Sequence, residues 1–366
     1  MRPRFEQNLK AYSKVAKDEL KLAEKNKESD GALVNLEMKN LRTVIDWHIE
    51  KAKESGQTDI QAQEDIYFIQ KQKQEIIKKL ESDLACLDNP ECIFKKEENA
   101  RSTSYEESTG FSYQNDRGKI APASFGEILT DMEWGVYYNL DKNKTPRHLM
   151  KKYLVEKTKM QLGGLLDEQI IESEIGRVTP TSGVKLAYMA IKEKKEKGEG
   201  REQKGFVSES IVKTFLAKMS IDENLPFTIK PADVYQDVHQ KIDFIISLKE
   251  RNRGVNVETS EKNKDIGIQF SINNEAKTKK EEQIKKSVEI LRRNKDEIQD
   301  IALVIFPLEM ANSLKEKWER KGKPAGGPEK YLYRHVAKKL FSGLLKDIMP
   351  ESEISKYWQK VESNFL

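Results

Sequence analysis

Apolar residues near the start of the chain recur at steps of three and four among Lys and Glu, which is the pattern of amphipathic helices. The pattern runs over residues 5–30, 32–55 and 59–86. Helices joined by short turns pack as antiparallel bundles or hairpins. We therefore assign residues 1–94 to a helical module for packing or protein interaction, because none of its residues forms a catalytic motif.

The next two segments differ in their apolar content. Residues 95–120 contain mainly Lys, Glu, Ser, Thr, Asn and Gly, a composition typical of a flexible linker. Residues 121–200 regain helical periodicity. Ser124 and Glu127 stand at capping-box spacing and predict a helix start. We expect residues 121–200 to form a helical middle region.

Beyond residue 201 the pattern changes from helices alone to helices with short apolar strands. The predicted elements are a helix over 206–219, strands over 225–229, 241–248 and 265–272, a helix over 277–295 and a strand over 301–306. The sequence therefore predicts an α+β (mixed) fold, in which a helical N-terminal region precedes an α-β-β-β-α-β core. We assign residues 201–366 to this α/β domain and its C-terminal helices.

Composition and charge narrow the class of protein. A chain of 366 residues usually forms more than one folding unit. Its 37% hydrophobic and 34% charged residues favour long exposed helices around modest cores. The 65 Lys and Arg nearly balance the 61 Asp and Glu, so the net charge is only +4. Overall charge therefore gives no argument for nucleic-acid binding, and a basic surface must arise locally.

Two cysteines, Cys86 and Cys92, flank an Asn-Pro turn. They either form a disulfide bond or remain half-buried thiols, and the sequence leaves both open. The four histidines are scattered, so zinc-site spacing is missing. The first residues show no apolar signal segment, and no apolar run is long enough to span a membrane. We therefore expect a cytoplasmic protein without membrane contact, of undetermined oligomeric state.

Two polar residues within apolar strands carry the candidate chemistry. Asp243 lies in the strand over 241–248, and Gln269 lies in the strand over 265–272. A buried carboxylate is costly unless it is paired or binds a metal ion. If consecutive strands pair in a suitable register, both side chains face one pocket. A hard divalent cation prefers such oxygen ligands, and it can activate water against a phosphodiester.

The segment 206–310 resembles the PD-(D/E)XK nucleases, the restriction-endonuclease-like superfamily. The resemblance rests on Asp243 in Lys-Ile-Asp-Phe-Ile-Ile, Gln269 in Gly-Ile-Gln-Phe-Ser, and Glu209 in the first helix. It implies that these three residues bind Mg²⁺ or Mn²⁺. It also implies that the protein hydrolyses phosphodiester bonds of DNA or RNA.

One position departs from the family pattern. Ser271 stands where the family has a catalytic lysine. Some relatives relocate this lysine to the following helix, where Lys285 or Lys286 would serve. The same helix presents further basic residues as candidates for nucleic-acid contact, namely Lys279, Lys280, Arg292 and Arg293.

Two other hypotheses for the function of this domain remain open. In the first, the core is a non-catalytic scaffold that binds nucleic acid or protein, with Asp243 salt-bridged to a lysine. In the second, the protein is wholly structural, and Asp243 and Gln269 lie far apart or on opposite faces. Each residue also has an ordinary role available. Asp243 would bond a backbone N–H, Gln269 would be a bonded core amide, and Glu209 would interact with the helix dipole.

Overall fold

The computed structural model describes most of the chain after residue 59. The described ranges are 60–89, 91–115, 118–177, 183–196, 204–248, 265–272, 277–293 and 298–362. The helices predicted over 5–30 and 32–55 lie outside the described residues. Within the described part, no helix combines the length and apolar character needed to cross a membrane.

The described residues form nine α-helices and eight β-strands. The α-helices are α1 (Ile60–Asp88), α2 (Phe125–Asp131), α3 (Arg147–Arg177), α4 (Gly183–Glu196), α5 (Lys204–Asp222), α6 (Lys277–Arg293), α7 (Leu308–Arg320), α8 (Arg334–Leu345) and α9 (Glu351–Val361). The strands are β1 (Arg101–Glu106), β2 (Gly110–Gln114), β3 (Ile120–Ala123), β4 (Tyr138–Asn139), β5 (Phe227–Pro231), β6 (Phe244–Leu248), β7 (Asp265–Ser271) and β8 (Ile298–Ile305). Short 3₁₀ helices cover Met132–Trp134 and Pro328–Tyr331, and a π-helix covers Gln236–Gln240. The predicted α+β class is confirmed.

The chain divides into two compact units, and the division differs from the predicted domains. One unit combines residues 1–96 with 140–196, and the other combines 97–139 with 197–366. The first described unit is helical, with α1 and α4 packed on α3. The predicted middle region, 121–200, is therefore split, because its first part packs with the α/β unit.

A disulfide bond joins Cys86 to Cys92 at the end of α1. The alternative of unpaired thiols is therefore wrong. The Lys142 ammonium donates to the Cys92 carbonyl at 2.9 Å and also to the Asn89 carbonyl. It also lies 5.9 Å from the centre of the Phe94 ring. The disulfide bond and the Lys142 ammonium thus hold the loop between Cys86 and Cys92 in place.

The predicted linker over 95–120 contains a folded hairpin, so that prediction is corrected. Strands β1 to β4 form a sheet in the order β3-β2-β1-β4. Phe111 and Tyr113 alternate with exposed or half-buried neighbours and are buried on one face. Ser104 and Ser112 share a cross-strand hydrogen bond of 2.7 Å. The polar composition hides this two-residue alternation, because the strands contain few aliphatic residues.

The α/β unit contains a four-stranded mixed sheet in the order β5-β6-β7-β8. Strands β5, β6 and β7 form an antiparallel meander, and β8 runs parallel to β7. Helix α5 precedes the meander, and α6 makes the crossover that a parallel pair requires. The predicted sequence of elements, α-β-β-β-α-β, is therefore present.

Apolar side chains cover both faces of this sheet. On one face Phe215 of α5 joins Phe244, Ile268 and residues of the C-terminal helices in a large core. On the other face Ile245 packs with Ile284 and further apolar residues of α6. Burial on both faces explains why β6 and β7 are almost continuously apolar. Polar residues in these strands are therefore conspicuous.

Residues 325–329 are buried between other elements of the α/β unit. The N–H of Gly326 donates to Asp131 at 3.0 Å, and the N–H of Ala325 donates to the Tyr113 hydroxyl at 2.6 Å. Glu329 is only 2% exposed, and this burial raises its pKa to about 8. A neutral Glu329 therefore dominates at pH 7, which lowers the cost of burying it.

We expect Gly327→Ala to unfold or strongly destabilise the α/β unit. Gly327 has φ +62°, and an added Cβ would lie 2.6 Å from the Trp134 indole nitrogen and still closer to Glu329. Both strain and overlap follow, so the free energy of unfolding should fall by about 2–4 kcal/mol. Chemical denaturation measures the change. The control is Gly343→Ala in α8, where an added Cβ meets nothing within 4 Å. Equal stability of the two variants would contradict the prediction.

Candidate active site

Asp243 lies between the π-helix and β6, directly before the first residue of the strand. The N–H of Asp243 donates to the Ile268 carbonyl at 2.8 Å, and Phe244 also pairs with Ile268. The Asp243 carboxylate accepts a hydrogen bond from the backbone N–H of Phe270. The carboxylate therefore reaches the backbone of β7.

Gln269 precedes Phe270 and lies within the same strand pair. Its side chain is only 5% exposed. Among the described residues its carbonyl oxygen, Oε1, has no hydrogen-bond partner. This oxygen therefore does not behave as that of an ordinary hydrogen-bonded core amide. Asp243 bonds the residue next to Gln269, so the two residues are not far apart in the fold.

Glu209 approaches from α5 and is electrostatically coupled to Asp243. Loss of solvation raises the pKa of Glu209 to about 8, and the negative charge of Asp243 contributes to that rise. The positive charge of Lys213 opposes it. Glu209 is thus more than a surface residue at a helix terminus, because its side chain is half-buried and close to another acid.

The pKa of Asp243 is also raised, to about 6. Burial is the largest cause, and the negative charge of Asp237 adds to it. The Phe270 N–H and the charges of Lys280 and Lys241 act in the opposite direction. Asp243, Glu209 and Asp237 therefore form one group of interacting acids, which a bound cation would stabilise in the ionised form.

Asp237 is an acid of the site that was not predicted from the sequence. It lies in the π-helix, six residues before Asp243. Burial of its carboxyl raises its pKa, and the charges of Lys241 and Lys280 lower it. Single-turn π-helices are frequent at functional sites. The sequence signal of a π-helix is weak. The position of Asp237 close to Asp243 was therefore the only feature of the sequence that distinguished it.

Lys280 is the lysine of α6 that reaches the acids. Its ammonium donates to the Phe270 carbonyl, and its charge lowers the pKa of Asp243. Within the described residues no lysine lies within 4.0 Å of the Asp243 carboxylate. Lys280 is thus near the site, but it does not form the salt bridge with Asp243 that would support the scaffold alternative.

The other basic residues of α6 are exposed. The helix buries Ile284, Ser287, Val288 and Leu291 toward the sheet. Lys285 and Lys286 follow Ile284 and lie on the outer surface, so the structure does not bring them to Asp243. The exposed candidates for nucleic-acid contact are Lys279, Arg292 and Arg293, whereas Lys280 is half-buried. Ser271, at the usual lysine position, is buried in β7.

The available oxygens suit a hard divalent cation. Asp243 and Glu209 supply carboxylates, and Gln269 supplies a buried carbonyl oxygen without a bonded partner. Across the described ranges, no three His, Cys, Asp or Glu side chains are close enough to form a metal site by themselves. A cation here would therefore also need the amide oxygen and water, both of which Mg²⁺ accepts.

Compared with protein-family models, with curated proteins and with solved structures, the chain shows no significant match. Its function must therefore be argued from the site alone.

Proposed function

We propose that this protein is a metal-dependent nuclease of the PD-(D/E)XK type, with its site where Asp243 contacts β7. One observation carries the proposal. The buried Oε1 of Gln269 lacks a partner among the described residues, and Gln269 precedes Phe270, whose N–H donates to the Asp243 carboxylate. The bond to Phe270 is also what an ordinary structural role of Asp243 predicts, so the unbonded amide oxygen is the observation that favours a cation.

The surrounding elements support this assignment. A helix carrying Glu209 precedes a three-stranded meander, and a basic crossover helix leads to a parallel fourth strand. The pKa values of Glu209 and Asp243 are both raised, a feature frequent at catalytic sites. The order of elements alone would indicate only a fold.

Each group has a distinct role in the proposal. Asp243, Gln269 and Glu209 hold Mg²⁺ or Mn²⁺. When bound, the cation makes water a better nucleophile and stabilises negative charge on the phosphodiester. Lys280 replaces the lysine missing at Ser271, because it is the basic side chain that contacts the Phe270 carbonyl. Its ammonium would orient the attacking water and stabilise negative charge.

The exposed face of α6 provides the substrate surface in this proposal. Lys279, Lys285, Lys286, Arg292 and Arg293 are exposed along one helix that begins next to the site. Cationic side chains contact phosphates without reading base sequence. DNA and RNA are therefore both candidate substrates, and cleavage should weaken as salt concentration rises.

The test compares the whole protein with Asp243→Asn on single- and double-stranded DNA and RNA, with Mg²⁺, Mn²⁺ or chelator. We expect metal-dependent cleavage that the substitution lowers by about 100-fold or more. Asp347→Asn is the matched control, because Asp347 is exposed and distant in sequence from the site. Cleavage that persists undiminished in Asp243→Asn, or no cleavage with either metal, would refute the nuclease assignment.

A non-catalytic scaffold is the second candidate, and one observation favours it. Ser271 occupies the lysine position, and a lysine ammonium already bonds the Phe270 carbonyl. Such a protein would bind nucleic acid with an affinity indifferent to Mg²⁺, or would bind a protein partner through the helical region before residue 95. Fluorescence anisotropy with labelled DNA and RNA, with and without Mg²⁺, separates the two candidates.

A further inference from the structure

The segment comprising α2 and the 3₁₀ helix Met132–Trp134 lies along α5. At the end of α5, Asp222 accepts hydrogen bonds from the Ser124 hydroxyl at 2.6 Å and from the Gly126 N–H at 2.8 Å. An added Cβ at Gly126 would lie 2.5 Å from Asp222, so a glycine is required there. The acid thus binds the first turn of α2 as a second cap beside Ser124.

Two ion pairs continue this contact toward the candidate site. Lys218 bonds Glu127 at 2.9 Å, and Lys213 bonds Glu133 at 2.5 Å. Both pairs are largely shielded, since the Lys213 and Glu133 side chains are only 14% and 22% exposed. The α5 residues that contact this segment are thus Asp222, Lys218 and Lys213. Lys213 is the one nearest to Glu209 in sequence.

Lys213 stands four residues after Glu209 on the same helix, and side chains at this spacing are neighbours. Its positive charge acts on Glu209, and the negative charge of Glu133 acts there with opposite sign. Both members of the ion pair are thus within electrostatic range of a proposed cation ligand. A purely peripheral salt bridge would show neither effect.

We propose that Glu133 is a positioning residue of the candidate site: it holds the Lys213 ammonium so that a divalent cation, and not this lysine, occupies the space beside Glu209. The inference rests on the proposed function, because it concerns the same cation. It adds a residue from the segment 97–139 to a site otherwise built from α5, β6, β7 and α6.

The physical reason is competition between two cations for one carboxylate. Glu133 offers Lys213 an alternative partner of equal charge at 2.5 Å. Removing the Glu133 charge leaves Glu209 as the acid one helical turn from Lys213. The lysine would then pair with Glu209, and a metal ion would have to displace it. Removing the lysine charge as well abolishes this competition.

The experiment measures Mn²⁺ affinity of the whole protein by isothermal titration calorimetry. We expect Glu133→Gln to weaken binding by roughly tenfold, since a unit charge moves within a few ångströms of the site. Lys213→Met should tighten binding, and Glu133→Gln combined with Lys213→Met should return it to the level of Lys213→Met. Glu133→Asp should retain most of the wild-type affinity, because it keeps the charge.

The control is Glu127→Gln, which removes the acid of the next ion pair along α5 and should leave Mn²⁺ affinity within about twofold. Circular dichroism melting checks that each variant is folded. If Glu133→Gln weakens binding and the double variant does not recover it, the competition is refuted and the pair is structural. Absence of Mn²⁺ binding in the wild-type protein would refute the proposed function itself, which is a different result.

Discussion

Glu209→Gln is expected to stabilise the protein without metal at pH 8, and to abolish most of the stabilisation that Mn²⁺ gives to the wild-type protein. The pKa of Glu209 is raised from 4.5 to about 8, so folding opposes its ionisation. A neutral amide of the same shape removes this cost. It also removes one proposed ligand, so the two effects have opposite signs.

The pH dependence follows from the direction of that pKa shift. Below the unfolded-state pKa of 4.5, Glu209 is protonated in both states and the substitution has little effect. As pH rises, the unfolded state ionises first, so the wild-type protein progressively loses stability until about pH 8. The advantage of Gln should therefore grow from pH 5 to pH 8 and reach on the order of 1–3 kcal/mol.

Thermal melting at pH 5, 7 and 8, with Mn²⁺ or with chelator, measures both effects. Glu282→Gln serves as the control, because Glu282 is exposed on α6 and its loss should change neither quantity. A loss of stability in Glu209→Gln at pH 8 without metal would show that the ionised carboxylate makes a favourable structural bond. Unchanged stabilisation by Mn²⁺ would exclude Glu209 as a ligand.

Lys280→Met is expected to lower the rate of phosphodiester cleavage by about 100-fold or more while the protein still binds Mn²⁺. The ammonium contacts the Phe270 carbonyl and acts on Asp243, so its loss removes a positive charge beside the proposed site. Metal affinity should be equal or somewhat higher, because a competing cation has been removed. Single-turnover cleavage and Mn²⁺ titration separate these quantities.

Lys279→Met provides the matched control, since Lys279 is the neighbouring lysine on α6 and is exposed. It should weaken nucleic-acid binding slightly and leave the single-turnover rate unchanged at saturating protein. If Lys285→Met or Lys286→Met lowers that rate and Lys280→Met does not, the original assignment from sequence is the correct one.

Much of the α/β core could be predicted because its elements have strong local signals. The buried runs around Ile246 and Ile268 are too apolar for surface segments, and the amphipathic α6 separates β7 from β8. The capping box of Ser124 and Glu127 is also confirmed. These features depend on residues close together in sequence, which is why one sequence suffices for them.

Other features depend on contacts between distant residues. The strand around Phe111 is stabilised by pairing with its two neighbouring strands. Because the segment is polar, its composition indicated a linker and gave no sign of this pairing. Helix phase would have favoured Lys280, which lies one turn before the buried Ile284, over Lys285 and Lys286. Asp237 lies in a π-helix, and no sequence pattern predicts that geometry.

The division of the chain into two interleaved units determines how the protein can be shortened. Residues 97–139 belong with 197–366, although a helical stretch of the other unit lies between them in sequence. A fragment starting at residue 201 would retain Asp243 and Gln269 yet lack β1 to β4 and the helix α2, which packs on α5. Expression of the α/β unit alone therefore requires joining residues 97–139 to 197–366 by an artificial connector, rather than a single truncation.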